Sequence, residues 1–332
     1  MSGIDPFLDK KLRDLVKDSD RNISDEDAER HRIYAGALAK IMRHYWCGNK
    51  YGLDVSYPMN PSCEKWHEVC PNLGNEYRGH NIAALAVDHD GNILDFEFNH
   101  NALFDSSAEH AEARLIRRLF SLSQVNDSWN IQSEDNPATK YSTALDRVTV
   151  YTSLESCTQC TGVMMLGRVK EVVYLQPDPG MYRIGDLLHT LTVRKLPDPK
   201  TGKTPREDFI RAPEPVSATK VGLSIAKEME SAFEAFLGAH KAEKPFSIKN
   251  GKPKPSESIT SFLCTEQALE PFAKLAAAFE AMKLDHDDYK PDFEDDERDD
   301  KDDRLTNAKA LDEAQRFVEY ATKKGHRATP HR

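Results

Sequence analysis

The sequence predicts an α/β domain with a mixed β-sheet, followed by a helical C-terminal extension. Two apolar runs joined by Asp90-Gly91 predict an antiparallel hairpin over residues 81–99. The β-branched run 148–152 leads directly into a helical stretch, and a second apolar run, 169–175, follows it. Strands separated by a helix pair in parallel. Antiparallel and parallel pairing in one sheet make it mixed.

The expected elements begin with a helix from Ala28 to near Cys47, where apolar residues recur at helical spacing. Another helix runs from Ala111 to Phe120, with residues 105–107 as candidate N-caps. This helix is expected to direct its three arginines outward: Arg114, Arg117 and Arg118. The other expected elements of the domain are strands 82–87, 93–98, 148–152 and 169–175 and helices 162–166 and 184–191.

Less regular stretches separate and follow these elements. Residues 121–146 are polar and are interpreted as a loop insertion, and residues from Leu196 onward are a proline-containing linker. Helices are expected at 221–237, at 261–282 with an interruption at Pro271, and at 308–323. The predicted division of the chain is an N-terminal arm (1–29), a catalytic domain (30–195), a linker and helical extension (196–284), an acidic disordered segment (285–305) and a C-terminal helix and tail (306–332).

Composition limits the classes of function. The 332 residues carry a formal net charge of −10, but one acidic run between Asp285 and Asp303 supplies much of it. That balance argues against broad non-specific nucleic-acid binding and leaves a local groove open. No apolar run is long enough to span a bilayer, and residues 1–6 do not resemble a signal peptide. Six cysteines fit a reducing compartment, so the expected location is cytoplasmic.

Two short motifs carry the chemistry. The first is His110-Ala111-Glu112, and the second is Cys157-Thr158-Gln159-Cys160. One histidine and two cysteines are zinc ligands, and three protein ligands leave the fourth tetrahedral position open for water, as in catalytic zinc sites. Cys157 and Cys160 are three residues apart and share one face of a helical turn. Each motif opens a helix, so two helix N-termini are expected to meet at one Zn²⁺ ion.

These motifs resemble the H-x-E…P-C-x-x-C signature of the cytidine/deoxycytidylate deaminase superfamily, in the branch of the tRNA adenosine, guanine and deoxycytidylate deaminases. The resemblance covers roughly residues 30–195. It implies a three-layer α/β/α fold with zinc bound by His110, Cys157 and Cys160. It also implies that Glu112 shuttles protons during hydrolytic deamination. One departure is Ser156, which stands where the signature has proline.

The resemblance also implies a substrate contact and partners. An asparagine after the second hairpin strand contacts substrate in these enzymes, which points to Asn99 with Asn101 as the fallback. The implied partner is a small nucleobase, nucleoside or nucleotide, and the superfamily is commonly homo-oligomeric. Glu155 is expected to contribute backbone and packing.

Three questions stay open at this point. A base in RNA or single-stranded DNA is an alternative substrate, contacted by the polar loop 121–146 and by lysines between 241 and 254. A catalytically inactive zinc-stabilised binding module is a second alternative, favoured by Ser156 alone. A further structural zinc site is one interpretation of Cys47, Cys63, His67 and Cys70, and ordinary thiols near a loop histidine are the other.

Overall fold

A computed structural model describes Val16 and residues 22–46, 79–130, 145–181, 183–193, 211–242, 257–291 and 304–324. At 122–130, 240–242 and Lys324 it describes the backbone without the side chains. The helices are α1 (Asp25–Tyr45), α2 (Ala111–Asn130), α3 (Thr158–Leu166), α4 (Ile184–Val193), α5 (Ile225–Ala242), α6 (Ile259–Phe262), α7 (Glu266–Glu280) and α8 (Asn307–Lys324). The strands are β1 (Ala83–Val87), β2 (Ile93–Phe98), β3 (Thr149–Thr152), β4 (Glu171–Tyr174) and β5 (Glu214–Ser217).

The five strands form one mixed sheet in the order β2-β1-β3-β4-β5. β1 pairs antiparallel with both β2 and β3. β4 pairs parallel with both β3 and β5. The predicted mixed sheet and hairpin are therefore confirmed. The hairpin turn spans residues 88–92 and is longer than the expected two residues, because Asp88 Oδ1 accepts hydrogen bonds from the backbone N–H groups of Gly91 and Asn92.

Helices cover both faces of the sheet, as the predicted three-layer α/β/α fold requires. α2 packs against β1 and β2, α3 packs between α2 and α4, and α4 reaches β5. α1 packs against β1 and β3 in the other helical group, and α8 contacts α1 and β2. A buried contact of 2.9 Å between His31 Nδ1 and the Tyr151 hydroxyl joins α1 to β3. The two helices that begin at the candidate site thus lie together on one side.

The C-terminal extension packs against α1. α7 lies along α1, and the approach at Gly36 is so close that a Cβ there would be 2.6 Å from Cβ of Phe279. The Trp46 and Phe272 rings are 5.9 Å apart at the same contact. α5 packs in turn on α7, and one continuous apolar cluster joins the extension to the sheet. Its residues therefore share the core of the α/β domain.

The structure corrects two sequence-based expectations about connecting segments. β5 lies within the predicted linker, and its parallel pairing with β4 adds a strand from beyond residue 195 to the central sheet. Pro215 indicates a linker in the sequence, but proline is tolerated in a strand at the edge of a sheet, where β5 lies. Residues 121–130 continue α2 instead of forming a loop. The remaining residues of that predicted insertion, apart from 145 and 146, lie outside the described part of the chain.

The later segments also differ from expectation. Pro271 lies inside α7, and the interruption falls at residues 263–265, between α6 and α7. Within the predicted acidic disordered segment, residues 285–291 are ordered against α1. The backbone N–H groups of Asp285 and His286 donate to the Glu29 carboxylate at 2.8 and 3.0 Å. Residues 292–303 lie outside the described residues. The division of the chain into domains stays a prediction.

Two of the three arginines on α2 face the sheet, which corrects the expectation that all three point outward. Arg118 Nη1 lies 2.6 Å from Glu97 Oε1, and its Nε lies 2.9 Å from Asp95 Oδ2. Arg114 Nε lies 3.2 Å from Glu97 Oε2. The side chains of Asp95 and Glu97 are fully buried, whereas Arg117 is 59% exposed. Buried carboxylates on β2 therefore hold α2 in place.

No helix in the described ranges combines the length and the apolar character that crossing a bilayer requires.

Candidate active site

The two motifs meet where α2 and α3 begin. His110 directly precedes α2, Cys157 is the N-cap residue of α3, and Cys160 lies in its first turn. His110 Nδ1 is 3.4 Å from Cys157 Sγ and 3.5 Å from Cys160 Sγ, and the two sulfurs are 3.6 Å apart. Among the described residues, these three form a group whose ligand atoms lie within 4.8 Å of one another. The structure thus brings the predicted ligands together.

The triangle formed by these three atoms has the size that zinc requires. Zinc bonds of about 2.3 Å to sulfur and about 2.05 Å to nitrogen, at tetrahedral angles, give edges of about 3.8 Å between sulfurs and about 3.6 Å between sulfur and nitrogen. The observed edges agree with these values to within about 0.2 Å. The residues therefore fit a tetrahedral metal with one further position open.

The charge state of the thiols suits a cation. The contact between Cys157 Sγ and Cys160 Sγ, together with His110, lowers the pKa of Cys157 to about 4. The same contact, together with burial, raises the pKa of Cys160. Hydrogen bonding to Cys157 also raises the pKa of His110. A thiol whose pKa is lowered in this way is disposed to bind a cation as the thiolate, and a bound metal ion would displace the proton of the other thiol.

Glu112 lies beside this cluster and is buried, with 3% of its surface exposed. Its Oε1 accepts hydrogen bonds from the hydroxyls of Thr152 at 3.2 Å and Ser156 at 3.1 Å, and its Oε2 lies 3.4 Å from Cys160 Sγ. Burial raises the pKa of this carboxyl group. A buried carboxyl with a raised pKa, adjacent to a metal site, is suited to taking up and returning a proton.

Asn99 positions the helix that carries His110 and Glu112. Its Oδ1 accepts a hydrogen bond of 2.6 Å from the backbone N–H of Ala111, the first residue of α2. The residues 105–107 expected to cap this helix do not make that contact. Asn99 is 2% exposed, and its Nδ2 is buried without a protein partner. Its side chain therefore caps α2 with one atom and leaves a donor available beside the site.

Glu155 holds the loop after β4 against the site. Its backbone N–H donates to Gln176 O at 2.8 Å, and its Oε2 accepts from the backbone N–H of Asp178 at 3.0 Å. Burial raises the pKa of Glu155 to about 7. Its Oε1 is buried without a protein partner.

A cavity of about 550 Å³ opens onto these groups. The α/β part of the chain contributes His110, Glu112, Cys157, Asn99, Glu155 and Asp178 to its lining, among others. The extension contributes Phe233 and Leu237 of α5 and residues 257–260. His80 also lines it. These wall residues could not be predicted from the sequence, because Phe233 and Leu237 follow the ordinary apolar pattern of a packed helix.

The other predicted site residues have different places. Asn101 is not among the described residues that line the cavity, and its Nδ2 donates to Ser106 O at 3.4 Å within the turn before α2. The four residues of the candidate second zinc site, Cys47, Cys63, His67 and Cys70, lie outside the described residues. Most of the polar insertion and of the lysine-rich link between 241 and 254 lies there too.

Residues 62–176 match the family model of the cytidine and deoxycytidylate deaminase zinc-binding region. The match spans both motifs and the sheet from β1 to β4. No curated protein matches the chain.

Two solved structures show a partial likeness. One comes from studies of A-to-I editing by tRNA:A34 deaminases at the wobble position of transfer RNA; it is 19% identical, covers 41% of this chain and 82% of that chain, and gives a TM-score of 0.24. The other is a guanine deaminase from Nitrosomonas europaea; it is 18% identical, covers 49% of this chain and 74% of that chain, and also gives a TM-score of 0.24. Likeness at this level carries no argument about substrate.

Proposed function

We propose, from the match of residues 62–176 to the cytidine and deoxycytidylate deaminase zinc-binding region, that this chain is a zinc-dependent hydrolase that deaminates a nucleobase, nucleoside or nucleotide and releases ammonia. The observation that carries the proposal is the placement of the ligand triangle of His110, Cys157 and Cys160 beside buried Glu112 at one cavity. A purely structural zinc site is closed by a fourth protein ligand and has no use for a neighbouring carboxyl group.

The residues divide the chemistry between them. His110, Cys157 and Cys160 would hold Zn²⁺, which when bound lowers the pKa of a water molecule toward neutrality. Glu112 accepts a proton from the attacking water and delivers it to the ring nitrogen next to the amino-bearing carbon. Glu112 then takes the second proton of that water and passes it to the departing amine, so that water and the amino compound become a carbonyl compound and ammonia.

The dimensions of the cavity favour a free small molecule as substrate. Ligand pockets of drug-sized molecules are typically about 300–1,000 Å³, and the cavity of about 550 Å³ lies in that range. Phe233 is backed by Phe236 and Phe262, whose ring centroids lie 6.2 and 5.3 Å away and which are fully buried. A fixed aromatic wall of this kind suits a planar base. We therefore assign the extension a role in holding the substrate.

The experiment is ammonia release from a panel of cytosine, adenine and guanine compounds, as free bases, nucleosides and nucleotides and within short single-stranded oligomers. Wild-type protein loaded with zinc is compared with Glu112→Gln, which keeps the shape of the side chain and removes the proton acceptor. Glu280→Gln is the matched control, because Glu280 is an exposed carboxylate on α7 that pairs with Lys40.

We expect release from a free compound by the wild type and the control, with a loss of at least about 100-fold in Glu112→Gln. Release from oligomers alone would replace the small-molecule substrate with a nucleic acid. If zinc-loaded protein releases no ammonia from any member of the panel, the deaminase proposal fails. The homo-oligomeric state and the cytoplasmic location stay predictions.

A further inference from the structure

Ser156 occupies a position at which the superfamily signature has proline, immediately before the first cysteine. Its side chain is 4% exposed, and its hydroxyl lies 3.1 Å from Glu112 Oε1. Proline has no side-chain donor and cannot make this contact. Ser156 is the one motif feature that favours a catalytically inactive module. It nevertheless contacts Glu112, the residue on which the proposed proton transfer depends.

Among the described side chains, Thr152 and Cys160 also lie beside the Glu112 carboxylate, and Ser156 differs from both. The Thr152 hydroxyl lies 3.2 Å from Glu112 Oε1 and 3.0 Å from the carbonyl oxygen of Leu154, and its single proton cannot serve both at once. Cys160 Sγ lies near Oε2, but a cysteine that ligates a metal is a thiolate and has no proton to donate. Of these three side chains, Ser156 is thus the one whose donor stays committed to Glu112 when the ligand cluster is filled.

We infer that Ser156 is a positioning residue for Glu112: its hydroxyl fixes Oε1 and thereby keeps Oε2 directed toward the metal ligands. The inference rests on the proposed function and adds a residue to it. In this chain a hydrogen bond takes the place of the rigid turn that proline supplies in the signature. Residue 156 thereby contacts Glu112 directly, whereas a proline at this position would only restrict the backbone.

The test compares zinc-loaded Ser156→Ala, which loses the donor, with Ser156→Thr, which keeps it. The matched control is Ser153→Ala: the Ser153 hydroxyl is buried three residues away and accepts a hydrogen bond from the backbone N–H of Ala83, so it has a structural role. Kinetics on the substrate found in the panel are combined with zinc content, thermal unfolding and crystal structures of wild type and Ser156→Ala.

We expect Ser156→Ala to lower kcat about 10- to 100-fold, as for a misplaced catalytic group, with KM changed less than about twofold. Ser156→Thr should recover most of kcat, Ser153→Ala should leave kcat near wild type, and all variants should bind one zinc. In crystals of Ser156→Ala, the Glu112 carboxylate should leave its wild-type position.

Wild-type kcat in Ser156→Ala, while Glu112→Gln is inactive, would overturn the inference and leave the proposed function standing. An equal loss of kcat in Ser156→Thr and Ser156→Ala would overturn it too, since the donor would not be the cause. The crystal structures decide independently of activity: an unmoved Glu112 carboxylate in Ser156→Ala contradicts the positioning role even if no substrate is turned over.

Discussion

Arg118 on α2 is expected to contribute more to stability than any exposed charge on that helix. Its guanidinium lies 2.6 Å from Glu97 Oε1 and 2.9 Å from Asp95 Oδ2, and both carboxylate side chains are fully buried. Arg118→Met keeps an apolar stem of similar length and removes the cation. The two buried carboxylates then lose their shared partner, although Arg114 still pairs with Glu97.

Breaking a buried ion pair by removing one partner costs about 3–5 kcal/mol, because the remaining charge stays buried without compensation. We expect the lower end, about 3 kcal/mol, since Arg114 remains. At about 2 °C per kcal/mol for a domain of this size, Tm should fall by about 6 °C. The assay is urea unfolding together with calorimetry of the zinc-free protein, so that metal binding does not add to the measured free energy of unfolding.

Arg117→Met is the matched control on the same helix. Arg117 Nη2 lies 2.8 Å from Glu109 Oε2, but the arginine side chain is 59% exposed. An exposed pair of this kind contributes about 0–1 kcal/mol. A loss in Arg118→Met no greater than that in Arg117→Met would refute the reasoning. In the double variant Arg118→Met with Glu97→Gln, the loss should be smaller than the sum of the two single losses, because both changes remove the same ion pair between Arg118 and Glu97.

Three other perturbations have expected outcomes. Gly36→Ala would place a Cβ 2.6 Å from Cβ of Phe279 and should lower the free energy of unfolding in urea by about 1–3 kcal/mol. At the control position Gly238, an added Cβ meets nothing within 4 Å, so Gly238→Ala should be neutral or slightly stabilising. Equal effects of the two substitutions would contradict the close packing of α1 on α7. Phe233→Ala should raise KM about 2- to 10-fold with little change in kcat, since the ring lines the cavity and takes no part in the proposed proton transfer; a loss confined to kcat would contradict this. Removal of zinc by a chelator should abolish ammonia release, and Zn²⁺ but not Mg²⁺ should restore it, because thiolate ligands select zinc; full activity in the metal-free protein would refute the metal site.

The hairpin and the cluster of His110, Cys157 and Cys160 could be predicted from the sequence, because short stretches of sequence indicate each of them. Apolar runs on either side of Asp90-Gly91 indicate two paired strands without any long-range contact. His110, Cys157 and Cys160 are recognisable from residue type and spacing, and the strand and helix patterns around them indicate that each motif opens a helix. The structure agrees on both points because short-range geometry decides them.

Features that depend on distant partners were not accessible. Pro215 indicates a linker in the sequence, and only the pairing of β5 with β4 in the folded structure identifies the strand. Arg118 has the side chain of a surface residue, and the buried carboxylates that attract it lie on β2. Asn99 has no sequence signal that it caps a helix twelve residues later. Phe233 likewise follows the pattern of a core residue, and the three-dimensional packing alone brings it to the cavity.

The contacts of α1 with Leu305 and with α8 have a consequence for biosynthesis. Arg30 Nη1 donates to Leu305 O across 275 positions, and the Tyr45 hydroxyl donates to Ala321 O across 276. A nascent chain in which residues 305–321 are still inside the ribosome has no partner for that side of α1. Contacts of such long sequence separation also form slowly. We therefore expect α1 to dock only after α8 has left the ribosome, and chains that terminate before α8 to be substrates for chaperones and proteases.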